Sequence, residues 1–189
     1  MLASTACGYE VGGLQQSQGV VSNVAYLTRK TERISRADLN DCDHIVSFGY
    51  RYILPPEIID EYAGRAFNIH IAFLPWNRGA SPNLWAWHDD TPHGVTLHLI
   101  DVGVDTGRWI DRRPVSMHDI DTLATSYRRL NESGMDMLRD WLPRLVRGDF
   151  SANEYSATGT YHTKLESDSL YQKLPLGWET PANWFRRAA

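Results

Sequence analysis

The sequence predicts one α/β domain in which a mostly parallel central sheet is flanked by helices. Three observations predict it. A short apolar run, His44-Ile45-Val46-Ser47-Phe48, stops at Gly49, as a parallel strand covered on both faces does. A helix opened by Pro55 and Pro56 and closed by Gly64 separates it from the next strand, Ala66 to Ala72, since Pro suits a first turn and Gly a C-terminus. Asp121 to Arg147 then repeats Leu123, Tyr127, Leu130, Leu138, Trp141, Leu142 and Leu145 at helical spacing. A length of 189 residues suits a single domain spanning 1–189.

The elements follow in order. Residues 1–19, with Gly8, Gly12, Gly13 and Gly19 among Gln15, Gln16 and Gln18, show no strand. Val20 to Leu27 reads as the second strand of a doubly wound fold, so the first βα unit reads as shortened. Arg36 to Asn40 is a short polar helical turn with Ser35 as N-cap. His44–Phe48, the helix Glu57 to Tyr62 and the strand Ala66 to Ala72 come next. Pro75 to Ser81 is a turn-rich loop, and Asn83 to His88 is helical. Gly94 to Ile100 is a strand with Val95, Leu97 and Leu99 on one face and Thr96 and His98 on the other. The loop Asp101 to Gly107 leads on to the long helix, where Gly134 marks close packing and Gly148 a stop. Residues 149–189 read as an irregular C-terminal extension.

Composition excludes several classes. A net charge of −4 argues against a nucleic-acid partner. No apolar run reaches the roughly 18 residues of a membrane span. Met1 to Cys7 lacks the basic start and long apolar stretch of a signal peptide, so the expected compartment is the cytoplasm. Cys7 and Cys42 have no zinc or redox spacing. An open sheet edge invites pairing, which makes a homodimer a reasonable expectation.

The chemistry concentrates in three residues. In a strand, Asn68 and His70 point to the same side. Asp105 arrives from a second strand end through a loop that Gly103 and Gly107 allow to turn tightly. An amide, an imidazole and a carboxylate on one cleft suit acyl transfer: the amide stabilises an oxyanion, the imidazole moves a proton, and the carboxylate orients and charges the imidazole. Asp101 and Asp105 lack the further ligands of a calcium loop. His70, His88, His93 and His98 form no zinc motif, so no metal is expected. His88, His93 and His98 read as surface or structural. No G-x-G-x-x-G is present, which excludes a nicotinamide fingerprint.

The fragments Phe67-Asn68-Ile69-His70, Leu74-Pro75-Trp76-Asn77-Arg78-Gly79, Thr91-Pro92-His93-Gly94-Val95-Thr96-Leu97-His98 and Val104-Asp105-Thr106-Gly107, in that order and spacing, together resemble the folate-dependent formyltransferases. The resemblance runs from about Asp43 to about Ile110 and is nearest to the sugar N-formyltransferases and the formylation domain of linear gramicidin synthetase. It implies a Rossmann-like formyltransferase fold and 10-formyltetrahydrofolate as formyl donor. It implies that His70 and Asp105 handle the proton while Asn68 and His70 hold the oxyanion. It also implies a pterin slot with backbone hydrogen bonds from Tyr52 and Leu54 and an apolar wall from Ile53. Backbone groups of Val102, Gly103, Val104 and Asp105 would complete that slot. Trp76, Asn77 and Arg78 are expected to close the pocket of a small-molecule amine acceptor; Arg78 reads equally as a phosphate or carboxylate clamp and as a scaffold residue. A nucleotide-linked amino sugar is the leading acceptor. An amino acid or carrier-bound aminoacyl group is the alternative, and a non-catalytic folate- or partner-binding member a third reading. Gly159-Thr160-Tyr161-His162 and Trp178 either shape the acceptor pocket or simply cover the sheet.

Overall fold

The computed structural model describes residues 24–27 and 33–188, with side chains as far as Phe185. The atypical segment 1–19, Cys7 and the start of the strand expected over Val20–Leu27 lie outside the described residues. So does the question of the shortened first βα unit. In chain order the elements are β1 (Val24–Leu27), β2 (His44–Phe48), α1 (Pro56–Glu61), β3 (Ala66–His70), β4 (Arg78–Gly79), α2 (Pro82–His88), β5 (Gly94–Leu99), β6 (Trp109–Pro114), α3 (Leu123–Leu145), β7 (Tyr161–His162), α4 (Lys164–Tyr171) and α5 (Ala182–Ala188).

Among the described residues, five strands form the central sheet in the order β1-β2-β3-β5-β6, while β4 and β7 pair in a small parallel sheet of their own. β1, β2 and β3 are parallel, β5 runs against β3, and β6 runs against β5. Four of the five strands therefore point the same way, a Rossmann-like arrangement with one reversed strand. Register sets the site: Asn68 lies opposite His98 and His70 opposite Thr96. Paired residues of an antiparallel ladder share a face, so these four side chains emerge on one side.

The other side is apolar. Phe67, Ile69, Val95, Leu97 and Leu99 meet Leu130, Met137, Leu138, Leu142 and Leu145 of α3 in one buried cluster. Each fully buried Leu or Phe stabilises this layer by roughly 1.5–3 kcal/mol. Gly134 sits where α3 crosses Phe48: an added Cβ would lie 2.6 Å from the ring, which is the close packing expected there. On the site face, Ile58, Ile59 and Tyr62 pack on Ala25, Leu27, Ile45 and Ala66. Helix α1 thus covers β1, β2 and the beginning of β3, and leaves the half over β3 and β5 for polar groups.

Two elements differ from expectation. β6 reads Trp-Ile-Asp-Arg-Arg-Pro, a charged edge strand without an apolar alternation, so no strand was expected there. The segment 149–189 is not irregular throughout: it contains β7, α4 and α5. Helix α4 starts on a capping box in which the Thr163 hydroxyl caps Glu166 and the Glu166 carboxylate accepts from the Thr163 N–H at 2.7 Å. That signal stands in the sequence, but the helix is eight residues long and weakly amphipathic, so periodicity does not reveal it.

Candidate active site

Asn68 and His70 leave β3 on the uncovered half of the sheet, and the loop after β5 folds back over them. Gly107 permits that fold, because a Cβ there would overlap the Leu99 carbonyl oxygen. Asp105, held at φ +53, a region Asp tolerates better than most residues, then lies between the β3 side chains. Its Oδ1 accepts from Asn68 Nδ2 at 3.2 Å. Its Oδ2 accepts from the Gly79 N–H at 2.9 Å and lies 3.6 Å from His70 Nδ1. The structure therefore brings together the three residues singled out for chemistry.

The carboxylate is strongly acidic. Burial alone would raise its pKa, but the charges and hydrogen bonds of His70 and His98 and the Gly79 N–H outweigh that and hold it far below the usual carboxylate range. His70 sits between acceptors: its Nε2–H donates to the Asn77 carbonyl at 2.9 Å while Nδ1 faces Asp105. Both ring nitrogens then face groups that only accept.

His98 belongs to this cluster, contrary to its reading as surface or merely structural. It is 2% exposed. Its Nδ1–H donates to the Leu99 carbonyl at 2.7 Å, which leaves Nε2 to face Asn68 Nδ2 at 3.2 Å and Asp105 Oδ1 at 3.5 Å. The Asn68 amide is oriented by this pair, since turning it over would set its oxygen against the carboxylate. Alternation along β5 had already put His98 on the same face as Thr96; only the register to β3 shows what it meets. His93, by contrast, tilts against Trp87 at 4.4 Å between ring centroids, and His88 is an exposed partner of Asp89.

The expected acceptor loop divides. Asn77 is 0% exposed and every polar group on it is used. Its N–H donates to Thr160 Oγ1 at 2.8 Å, its side-chain N–H to Thr91 Oγ1 at 2.6 Å, and its Oδ1 accepts from Thr160 at 3.2 Å. It positions His70 and faces no cleft. Arg78 and Trp76 are only half-buried, and Arg78 Nε donates to the Thr160 carbonyl at 3.4 Å. Gly159 to His162 is stitched to this loop through Thr160 N–H to Pro75 O, Arg78 N–H to Thr160 O and the pairing of β4 with β7. Trp178 lies elsewhere: it stacks near Tyr171 and Tyr127 and lines an open groove on α3 that contains none of the site residues.

Leu54 is buried in the cluster under α1, and Ile100 packs against that cluster. Tyr52–Leu54 and the Asp101–Gly107 loop are the two segments expected to line the pterin slot. Each presents a bare apolar side chain, Ile53 at 67% and Val102 at 75% exposure. Among the described residues no group of His, Cys, Asp and Glu is arranged to hold a metal ion, and no helix is long and apolar enough to cross a membrane.

Comparison with known proteins bears on this geometry. A model of the formyl transferase family matches residues 18–142. The chain is 37% identical over 148 residues, 77% of its length, to a methionyl-tRNA formyltransferase of Burkholderia ambifaria, of which that match covers 44%. It is 40% identical over 104 residues to the corresponding enzyme of Thermosynechococcus vestitus, 54% of this chain and 31% of that protein. The chain thus spans less than half the length of these curated relatives. Among solved structures, the formyltransferase PseJ of Anoxybacillus kamchatkensis, in complex with UDP-4,6-dideoxy-4-formamido-L-AltNAc and tetrahydrofolate, superposes with a TM-score of 0.79 at 38% identity, covering 82% of this chain and 84% of that one. A likely sugar N-formyltransferase of Mycobacterium tuberculosis superposes with a TM-score of 0.66 at 26% identity over 71% of this chain and 58% of the other.

Proposed function

Because the chain belongs to the formyl transferase family, we propose that it transfers a formyl group from 10-formyltetrahydrofolate to a primary amine carried on a nucleotide-linked sugar. The observation that carries the reaction is the convergence of Asn68, His70 and Asp105 on one buried carboxylate. The sugar acceptor is supported by the PseJ structure, which matches over most of both chains and holds a formamido sugar nucleotide beside tetrahydrofolate. The folate supplies the formyl carbon. Ile53 and Val102 flank its flat ring, and backbone groups of Tyr52, Leu54 and Val102–Val104 meet its polar edge.

In the mechanism, the neutral amine attacks the formyl carbon directly. The Nδ1–H of His70, which lies 3.6 Å from Asp105 and is therefore not held by a short hydrogen bond, passes to the oxygen as that oxygen gains negative charge. Asn68 joins it by passing an N–H from His98 to that oxygen, because a charged oxygen is the stronger acceptor. The attacking nitrogen gives up a proton, the bond from the formyl carbon to the folate nitrogen breaks, and a proton goes to that departing nitrogen so that tetrahydrofolate leaves; Asp105 and His70 handle the transfer.

The test is incubation of the protein with 10-formyltetrahydrofolate and a panel of amines, with products identified by mass spectrometry. The panel holds UDP-linked 4-amino sugars, amino acids, carrier-bound aminoacyl groups and methionyl-tRNA. The last is included because the curated relatives act on it by name. Formylated sugar nucleotide is the expected product. Formylation of another amine instead overturns the acceptor. Folate binding without any turnover overturns the reaction.

A further inference from the structure

A strap joins the two segments that build the site and carries one buried side-chain oxygen without a hydrogen-bond partner. At one end Asn153 exchanges two backbone hydrogen bonds with Trp109, at 2.8 and 3.0 Å, and the Trp109 indole donates to the Glu154 carbonyl at 3.2 Å. Trp109 closely follows the loop that carries Asp105. At the other end Thr160 is bonded to Pro75, Asn77 and Arg78, the loop that follows His70. Residues 153–160 therefore tie together the two segments that build the site. Tyr155 lies between the anchors. Its phenol oxygen is buried and has no hydrogen-bond partner, and it lies within electrostatic range of Arg112, Asp105, Asp101 and Arg78.

Such a group calls for an explanation, since a buried hydroxyl without a partner is destabilising. The protein offers it none among the described residues. Arg112 donates from Nη1 to the Leu74 carbonyl at 2.9 Å and stacks on Trp109 and Phe73, while its Nε is buried without a partner like the phenol; a neighbouring cation gives the phenol no acceptor in any case. Burial pushes the phenol well above its ordinary pKa, so it stays a neutral donor at any working pH and cannot act as a base. A neutral donor within electrostatic range of the Asp105 carboxylate is suited to an uncharged oxygen on the molecule that enters.

We propose that Tyr155 positions the acceptor: its phenol donates a hydrogen bond to a ring hydroxyl or N-acyl oxygen of the sugar next to the amine, as the amine settles against Asn68 and His70. The proposal rests on the formyl-transfer reading above and adds the residue that orients the acceptor. No bond is made or broken by Tyr155; it completes its own hydrogen bond only when the acceptor is present.

The test is Tyr155→Phe, which removes one oxygen and keeps the ring. KM for UDP-4-amino-4,6-dideoxy-L-AltNAc, or for whichever amine of the panel the wild type formylates, is expected to rise about 3- to 10-fold, the range of one neutral hydrogen bond. KM for 10-formyltetrahydrofolate and kcat at saturation are expected to change less than about 2-fold by the same reasoning, because the bond serves acceptor binding and not the folate. The melting temperature should hold or rise, since the free protein loses an unpaired buried hydroxyl. An unchanged acceptor KM overturns the role of Tyr155 while wild-type turnover leaves the reaction standing. A lowered melting temperature with both KM values unchanged assigns the hydroxyl to the fold and likewise overturns it. No turnover by wild type overturns the reaction and this inference together.

Discussion

Replacing Asp105 by Asn tests the centre of the mechanism with the smallest possible change. The backbone tolerates it, because Asp105 sits at φ +53 and Asn is at home in the left-handed region. The amide still offers an oxygen to the Gly79 N–H. What is lost is the charge 3.6 Å from His70 Nδ1 and, with the second oxygen, the acceptor for Asn68 Nδ2; the charge is the larger loss. A unit charge pair at that range, in a partly screened protein site, is worth about 4 kcal/mol. If that energy holds the imidazolium in the transition state, kcat falls roughly 1,000-fold. The assay is tetrahydrofolate release at saturating donor and acceptor, beside a thermal melt that shows the variant folded. A folded Asp105→Asn enzyme within about 10-fold of wild-type kcat would refute the charge argument, because it would leave less than roughly 1.4 kcal/mol for the pair.

The other expectations concern the groups around this carboxylate and the stability of the fold. His98→Phe removes a donor to Leu99 and an acceptor for Asn68; each buried group left unpaired costs about 1–3 kcal/mol, and kcat should drop about 10-fold or more as Asn68 loses its orientation. Unchanged melting and unchanged kcat in that variant would return His98 to a passive role. Gly159→Ala is expected to loosen the strap, since φ is +69 and the new Cβ would overlap the Pro75 carbonyl; strain plus overlap should cost about 2–4 kcal/mol and raise the acceptor KM. Gly148→Ala is its control, with the same positive φ and nothing within 4 Å, so it should cost only about 1 kcal/mol and spare activity. Finally, burial lowers the pKa of His93 from 6.5 to about 4. Between those values the unfolded chain binds a proton that the native ring refuses, so stability is full above pH 6.5 and falls as pH drops toward 4, by at most about 3 kcal/mol. Denaturant titrations across that window should show the fall, and His93→Phe should flatten it; an equally steep fall in the variant assigns the effect to other groups.

Much of the site is written locally. Two residues apart on a strand is enough to aim Asn68 and His70 together, and a loop between two glycines is enough to return Asp105 to them. Those relations depend on backbone geometry over a few residues. The long amphipathic α3 and the apolar face of β5 are legible for the same reason: burial imposes a period on nearby positions.

Elsewhere the outcome depended on which segments meet. The reversed direction of β5 is not carried by its apolar pattern, which reads the same either way; pairing with β3 settled it. That choice of register placed His98 against Asn68 and Asp105, and turned a histidine of no evident motif into a member of the cluster. Asn77 stands in the motif most suggestive of substrate contact, yet packing closed every one of its hydrogen bonds inside the protein. Tyr155 lies fifty residues beyond Asp105 in a stretch without pattern, and reaches the site only through the Trp109–Asn153 bridge and the Thr160 anchor. Local spacing determines the direction in which a side chain leaves its own segment. The partner it meets is decided by the long-range contacts that lower the free energy of the whole fold.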